Sequence, residues 1–256
     1  MSATQSLFLA ALSEPSRNLL LAHCTSIDLP LKTSLYTTQQ EPRYAYFITS
    51  GLASLVVSMS SGETAEVGIV GREGIVGSMH LLGPAPLPTD CMMQLGGTGL
   101  RIPLHDLKNA FNTSLEIRRL ILEMTQEQVL SLSQIAGCNR LHEAEPRLAR
   151  WLLMTQDRTQ CDVLGFTQEF LANMLGAQRT TVTLIAGELH RRGLIEYSRG
   201  KVRILDRAGL ESAACDCYQI LKSLYCNLYK RADSAASSRI VDIAPPADKA
   251  DMAFLR

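Results

Sequence analysis

Between Thr167 and His190 the chain carries a run of side chains that could make directed polar contacts: Gln178, Arg179, Thr180, Thr181 and Thr183. Amide, guanidinium and hydroxyl groups on short stems suit the acceptors of base edges and phosphate oxygens better than they suit bulk water alone. The positions between them are apolar. Val182, Ile185 and Leu189 recur at threes and fours, as on a helix with one buried face. Upstream, Leu171, Ala172 and Leu175 form a matching stripe, with Ala172 small enough for a second helix to cross closely. Thr167 can cap the first helix, which is predicted to start near Gln168, and Glu169 stands in the first turn, where unpaired N–H groups favour negative charge. Gly176, able to turn left-handed without steric cost, separates the two stripes.

A glycine between two helices also occurs in ordinary cores, so the next element of the chain decides the reading. Gly193 to Tyr197 and Val202 to Leu205 are short β-prone runs joined by Ser198-Arg199-Gly200-Lys201, a polar turn with two cations at its tip. A basic hairpin directly after a helix-turn-helix predicts a wing. From Leu164 to Arg207 there are seven Lys or Arg against four Asp or Glu, a local positive excess within a chain whose formal net charge is zero.

The rest of the chain must position this reader. Its 256 residues suffice for two domains, and 46% apolar with 5% aromatic residues fits an α+β protein. No run of about eighteen apolar residues and no signal-peptide pattern occurs, so a cytoplasmic location without membrane attachment is expected. Seven cysteines without a secretory signal then predict reduced thiols. Residues Leu7 to Cys24 read as two short helices, the second opening at Ser13-Glu14-Pro15. Strands are predicted at Leu29–Tyr36, Tyr44–Ile48, Leu52–Met59, Ala65–Val70, Ile75–Val76, Cys91–Leu95 and Leu100–Ile102, broken by turns such as Ser50-Gly51 and Ser61-Gly62. Many short strands of this kind indicate an antiparallel barrel or jelly roll. A helix comes next, to about Asn112, then a long one to about Ala136, with Ile117, Leu120, Ile121, Met124 and Leu130 at helical spacing. Gly137, Cys138 and Asn139 are expected to break it as a hinge. Pro146 opens the next helix, Ala208 to about Lys230 reads as one more, and the Ala-, Ser- and Pro-rich end as a mobile tail.

The stretch from Phe166 to Leu205 resembles the DNA-binding domain of the Crp/Fnr superfamily of bacterial transcription regulators, and the order of elements upstream is similar over most of the chain. The resemblance implies an N-terminal jelly-roll sensor barrel (1–112), a dimerisation helix and hinge (113–139), a winged helix-turn-helix (140–211) and a C-terminal helix with tail (212–256). It implies a homodimer on a two-fold symmetric duplex operator, with RNA polymerase as a further partner of an activator. Residue by residue, it places Arg179 on a guanine, with Thr180 and Leu184 where Glu and Arg or Ser are frequent. Leu184 could offer a thymine methyl only an apolar contact. Thr167, Gln178 and Thr181 would hold phosphates, aided by Arg199 and Lys201 of the wing.

The effector pocket departs from the family's cyclic-nucleotide pattern. Val76-Gly77-Ser78-Met79 stands where a Gly-Glu pair would bind ribose and Pro88-Thr89-Asp90-Cys91 near the phosphate-binding Arg, so that Gly74, Val76, Gly77, Ser78, Thr89 and Asp90 are the pocket candidates. Without that cation, and with Asp90 repelling an anion, cyclic AMP is not expected. The barrel would take another small molecule, a different nucleotide or nothing, and a sensor with a weak or vestigial reader is the alternative reading. Other chemistries lack support. Iron-sulfur members have clustered cysteines before the barrel, where this chain has only Cys24, and His80 is too isolated to suggest haem. Cys215-x-Cys217 with Cys226 raises metal ligation, but on a helix alternate residues face apart and no histidine is adjacent in sequence, so no metal is expected. Cys138 reads as a buried thiol, with a redox switch as the rival. No catalytic grouping emerges.

Overall fold

Two 15-residue strands, Tyr44–Ser58 (β3) and Thr89–Pro103 (β6), form the spine of the N-terminal half, paired antiparallel along their lengths. The computed structural model describes residues 6–198 and 200–230, with Glu169 and Asn173 described by their backbone alone. Before the spine come α1 (Leu7–Ala11), α2 (Glu14–Leu21), β1 (Thr25–Leu29) and β2 (Ser34–Tyr36). Between its strands lie β4 (Thr64–Val70) and β5 (Ile75–Val76). The sheet order is β1-β6-β3-β4, with β2 added to β6 and β5 to β3.

Two expected breaks are instead bulges. The chain passes Ser50-Gly51 with Gly51 at φ +85°, and the register shifts on either side. A Cβ on Gly97 would lie 2.0 Å from the Ser50 carbonyl oxygen, so glycine lets the two strands continue through a crossing that no other residue permits. Conversely, the expected strand from Leu29 to Tyr36 divides at Lys32, whose φ is +67°.

Helices α3 (Leu104–Thr113) and α4 (Leu115–Leu141) lead to α5 (Ala144–Thr159). Then come β7 (Val163–Gly165), α6 (Gln168–Leu175), α7 (Arg179–Arg191), β8 (Ile195–Ser198), β9 (Lys201–Ile204), α8 (Arg207–Ala213) and α9 (Cys217–Asn227). Strands β7, β9 and β8 make a small antiparallel sheet.

The long helix corrects two expectations. Gly137, Cys138 and Asn139 do not break it; the helix runs four residues beyond Gly137 and ends at His142, extended at φ −105°. An interior glycine costs only about 1 kcal/mol, whereas the ring of Pro146 would collide with the carbonyl of His142 if the helix ran on. Proline sets the break. Secondly, Ile117, Leu120, Ile121 and Met124 do not face outward but lie fully buried with Phe8, Phe47 and Ile102 in the core of their own chain. Each such side chain contributes roughly 1.5–3 kcal/mol by leaving water. Of the five expected contact residues only Leu130 is exposed.

The C-terminal half has its own core, built on Leu148, Trp151 and Leu152 of α5 with Leu171, Val182, Leu189 and Val202. It docks on the sheet through polar pairs. Trp151 Nε1 donates to Glu66 Oε1 at 2.7 Å, and Arg158 Nε donates to Glu73 Oε1 at 2.8 Å with both side chains buried.

Candidate nucleic-acid interface

Thr167 begins the reader as expected of a cap: its Oγ1 accepts from Phe170 N at 3.1 Å, opening α6 at Gln168. Leu171, Ala172 and Leu175 are buried, Gly176 turns at φ +60°, and α7 crosses with Val182 and Leu189 buried beneath it. What remains outside is the set singled out by spacing. Gln178 is the N-cap residue of α7 and leaves its side chain out of the cap, Arg179 is the first helical residue, and both are exposed with Thr180 and Thr183. Thr181 is half-buried, and the Thr183 hydroxyl donates back to Arg179 O at 2.9 Å, which limits it as a donor to an outside partner. Leu184 is 74% exposed.

The electrostatics are unusual for a helix start. The first turn of α7 holds no acidic residue and begins with an arginine, although unpaired N–H groups already make this end positive. Among the described residues neither Arg179 nor Lys201 has an ion-pair partner, while Arg191 pairs with Glu188 and Arg192 with Glu145. An anion would relieve this excess.

The wing lies beside that end. β8 and β9 pair from Ile195↔Ile204 to Ser198↔Lys201, and Gly200 turns at φ +74°, where an added Cβ would lie 4.0 Å from the Thr167 methyl. Burial raises the Tyr197 phenol above its ordinary value, and the charge of Arg179 partly offsets this. Arg199 lies outside the described residues. Sequence reading missed Arg203, exposed two residues beyond Lys201 on the same strand face and only loosely paired with Glu196 at 3.9 Å; the alternation of β9 was the available signal.

The expected effector residues scatter. A cavity of about 210 Å³ lies between the sheet and α4, lined among others by Tyr36, Leu55, Ile69, Met79, Thr89, Val129 and Leu132. Thr89 alone of the six expected residues lines it. Asp90 Oδ1 accepts from Thr38 N at 2.8 Å, Ser78 Oγ donates to Ile75 O, Val76 is buried, Gly77 turns at φ +92°, and Gly74 sits against Val70. The one arginine in the lining, Arg158, is already engaged by Glu73.

Residues 27–114 match the cyclic nucleotide-binding domain family and residues 146–213 the Crp-like helix-turn-helix domain family. The chain belongs to the Crp/Fnr family of regulators. Over 52 residues it is 44% identical to the transcriptional regulator SdrP of Thermus thermophilus, a match that spans 20% of this chain and 26% of that relative. FixK2 from Bradyrhizobium japonicum superposes with TM-score 0.64 at 15% identity, covering 75% of this chain and 98% of that one. TTHB099, a Crp-family transcriptional regulator from Thermus thermophilus, gives TM-score 0.60 at 22% identity, covering 73% and 96%. The two solved structures share the fold of this Crp/Fnr chain. No described helix is long and apolar enough to cross a membrane.

One grouping joins residues that the sequence had left apart, Cys215 and Cys217 with Cys138 and His142 in place of Cys226. Cys138 of α4 and His142, the residue that caps it, meet Cys215 from the turn after α8 and Cys217, the first residue of α9. The expectation that the C-x-C pair faces apart presumed a single helix over Ala208 to Lys230; Cys215 instead precedes α9, and only Cys217 is helical.

Proposed function

We propose that this chain is a sequence-specific transcription regulator that binds a two-fold symmetric operator as a homodimer. The observation that carries the reading is Arg179, exposed in the first turn of α7 and without a carboxylate partner among the described residues. In a major groove it would give a guanine two parallel hydrogen bonds, with Thr180 and Leu184 reaching neighbouring bases. Gln178, Thr181, Thr167 and Lys201 would meet phosphates on either side.

Pairing would use the face of α4 that the described residues leave uncovered. Leu115, Leu122, Val129 and Ala136 recur every seven residues and all are exposed, the stripe by which two helices pack side by side. The sensor ligand would be a small and largely apolar molecule in the cavity under Val129 and Leu132, since no unpaired cation faces that space among the described residues. Cyclic AMP does not suit it, because its phosphate would be buried without a counter-charge. A ligand there touches both the sheet and α4, and so could bias the paired state.

The test is selection of duplexes from a random pool by the purified chain at fixed salt, repeated with Arg179→Ala. A symmetric motif whose guanine is lost in the variant is the expected outcome. A motif without symmetry, or one that Arg179→Ala leaves intact, would sink the reading.

A further inference from the structure

Four metal-ligating side chains converge where α4 ends. The sulfurs of Cys138, Cys215 and Cys217 and the ring nitrogen of His142 all lie within 4.8 Å of one another. Cys138 Sγ stands 3.5 Å from Cys215 Sγ, and Cys217 Sγ 3.5 Å from His142 Nδ1. A tetrahedral zinc ion with Zn–S bonds of about 2.3 Å holds its sulfurs roughly 3.8 Å apart, so the four groups already stand near the required separation. The three thiols are buried.

Their surroundings fit the same ion. The imidazole that turns Nδ1 toward Cys217 turns Nε2 toward Asp216 Oδ1 at 3.3 Å, an outer carboxylate that fixes the ring and its tautomer. Gln134 Nε2 donates to Cys217 Sγ at 3.1 Å. Charge gives a second, independent sign. Arg150 is buried and its Nη1 donates to Met154 Sδ, while the Nε atoms of Arg147 and Arg150 are both buried without a hydrogen-bond partner among the described residues. Both guanidiniums lie near enough to Cys215 to favour its thiolate. Three thiolates, a neutral imidazole and a divalent cation sum to one negative charge, for which either guanidinium would serve as counter-charge.

We propose that Cys138, His142, Cys215 and Cys217 form a closed Zn²⁺ site that fastens the end of α4 to the turn between α8 and α9. Binding displaces one proton from each thiol, to solvent, and changes no oxidation state. With four protein ligands there is no open coordination position, so the role is structural and not catalytic. The site also reaches the reader, because Arg147 Nη2 donates to Leu175 O at the end of α6 at 2.6 Å. Nothing in the assignment depends on what α7 recognises.

The test starts with the full chain purified without a metal-binding tag and under reductant, its zinc measured by elemental mass spectrometry. About one zinc per chain is expected, lost in Cys215→Ser/Cys217→Ser and kept in Cys161→Ser/Cys226→Ser, which removes the two exposed thiols. Should the ligand variants fail to fold, the wild-type chain is stripped with chelator and titrated with Co²⁺. Tetrahedral thiolate ligation then gives intense visible bands and a sulfur-to-cobalt charge-transfer band, both bleached by Zn²⁺. His142→Cys should keep tetrahedral binding with a fourth sulfur, and Asp216→Asn should weaken it about 10- to 100-fold. The proposal is overturned if wild-type chain holds no zinc and gives no thiolate band, if the double variant retains both, or if reductant-treated chain contains a Cys138–Cys215 disulfide.

Discussion

The winged domain has two charged faces, and they differ in whether their charges are answered. On the face toward the sheet, Arg158 is bound by Glu73 and lies over the Tyr225 ring, and Trp151 is bound by Glu66. Burial alone would lower the Arg158 pKa, yet the carboxylates of Glu73 and Glu127 hold it above its ordinary value. On the outward face Arg179 and Lys201 have no ion-pair partner among the described residues. The first arrangement holds the two halves of the chain together, and the second leaves attraction available to a partner. Breaking the inner face should therefore have the largest effect. Glu73→Ala would leave the Arg158 charge buried beside a lost partner, and a destabilisation of about 3–5 kcal/mol is expected in denaturant unfolding. Adding Arg158→Met should recover most of it, since the stranded charge is then gone; no recovery would mean that Glu73 acts chiefly through its bond to Gly71 N.

The outer face should respond in binding and not in stability. Arg179→Ala is expected to leave the unfolding midpoint unchanged and to weaken operator binding by about 1–3 kcal/mol, with discrimination lost at one base pair per half-site. A variant that unfolds more easily while binding with intact selectivity would reverse the assignment of the two faces.

This contrast also explains what could be read from the sequence. Thr167, Gly176, Arg179 and Lys201 act through neighbours a few residues away, so capping, turn chemistry and helical period place them. The docking pairs join residues 85 apart, Trp151 to Glu66 and Arg158 to Glu73, and no local pattern announces them. The cavity and the Cys/His group are non-local in the same way. The same applies to α4, whose spacing shows apolar stripes but not which one its own sheet covers. Ile117, Leu120, Ile121 and Met124 have the spacing of an outer seam, and only the packing of Phe8 and Phe47 against them shows that face to be taken. The missed helix break is different in kind. Pro146 is visible in the sequence, and its clash with His142 carries more weight than the glycine at 137.

The inner face should also be sensitive to pH. Burial pushes the Glu66 carboxyl up from 4.5 to about 7, against the lowering effect of its bonds with Ser54 and Trp151. Between those values the folded chain holds a proton that the unfolded chain has released, so this group makes stability fall as pH rises from about 4.5 through about 7. Glu66→Gln keeps an acceptor for Trp151 and removes the titration. Its stability should vary less with pH across that window than the wild type's, and equal slopes would show that Glu66 is ionised throughout.

The smallest expected effect is at the tip of the wing, and it separates phosphate attraction from base reading on the outer face itself. Lys201 is exposed, comes directly after Gly200 at the turn and has no ion pair among the described residues, so its charge is free for a phosphate. A phosphate contact releases a condensed counterion whatever the sequence, and each contributes about 0.9 to the slope of log affinity against log salt. Lys201→Ala should therefore lower binding to operator and to random duplex by the same factor and reduce that slope by about 0.9 per reader, or twice that per dimer. Arg179→Ala should do the reverse, affecting the operator far more than random duplex. If Lys201→Ala instead changed the selected motif, the wing would be reading bases, and the outer face would hold two specificity elements where the unpaired charges at the start of α7 suggest one.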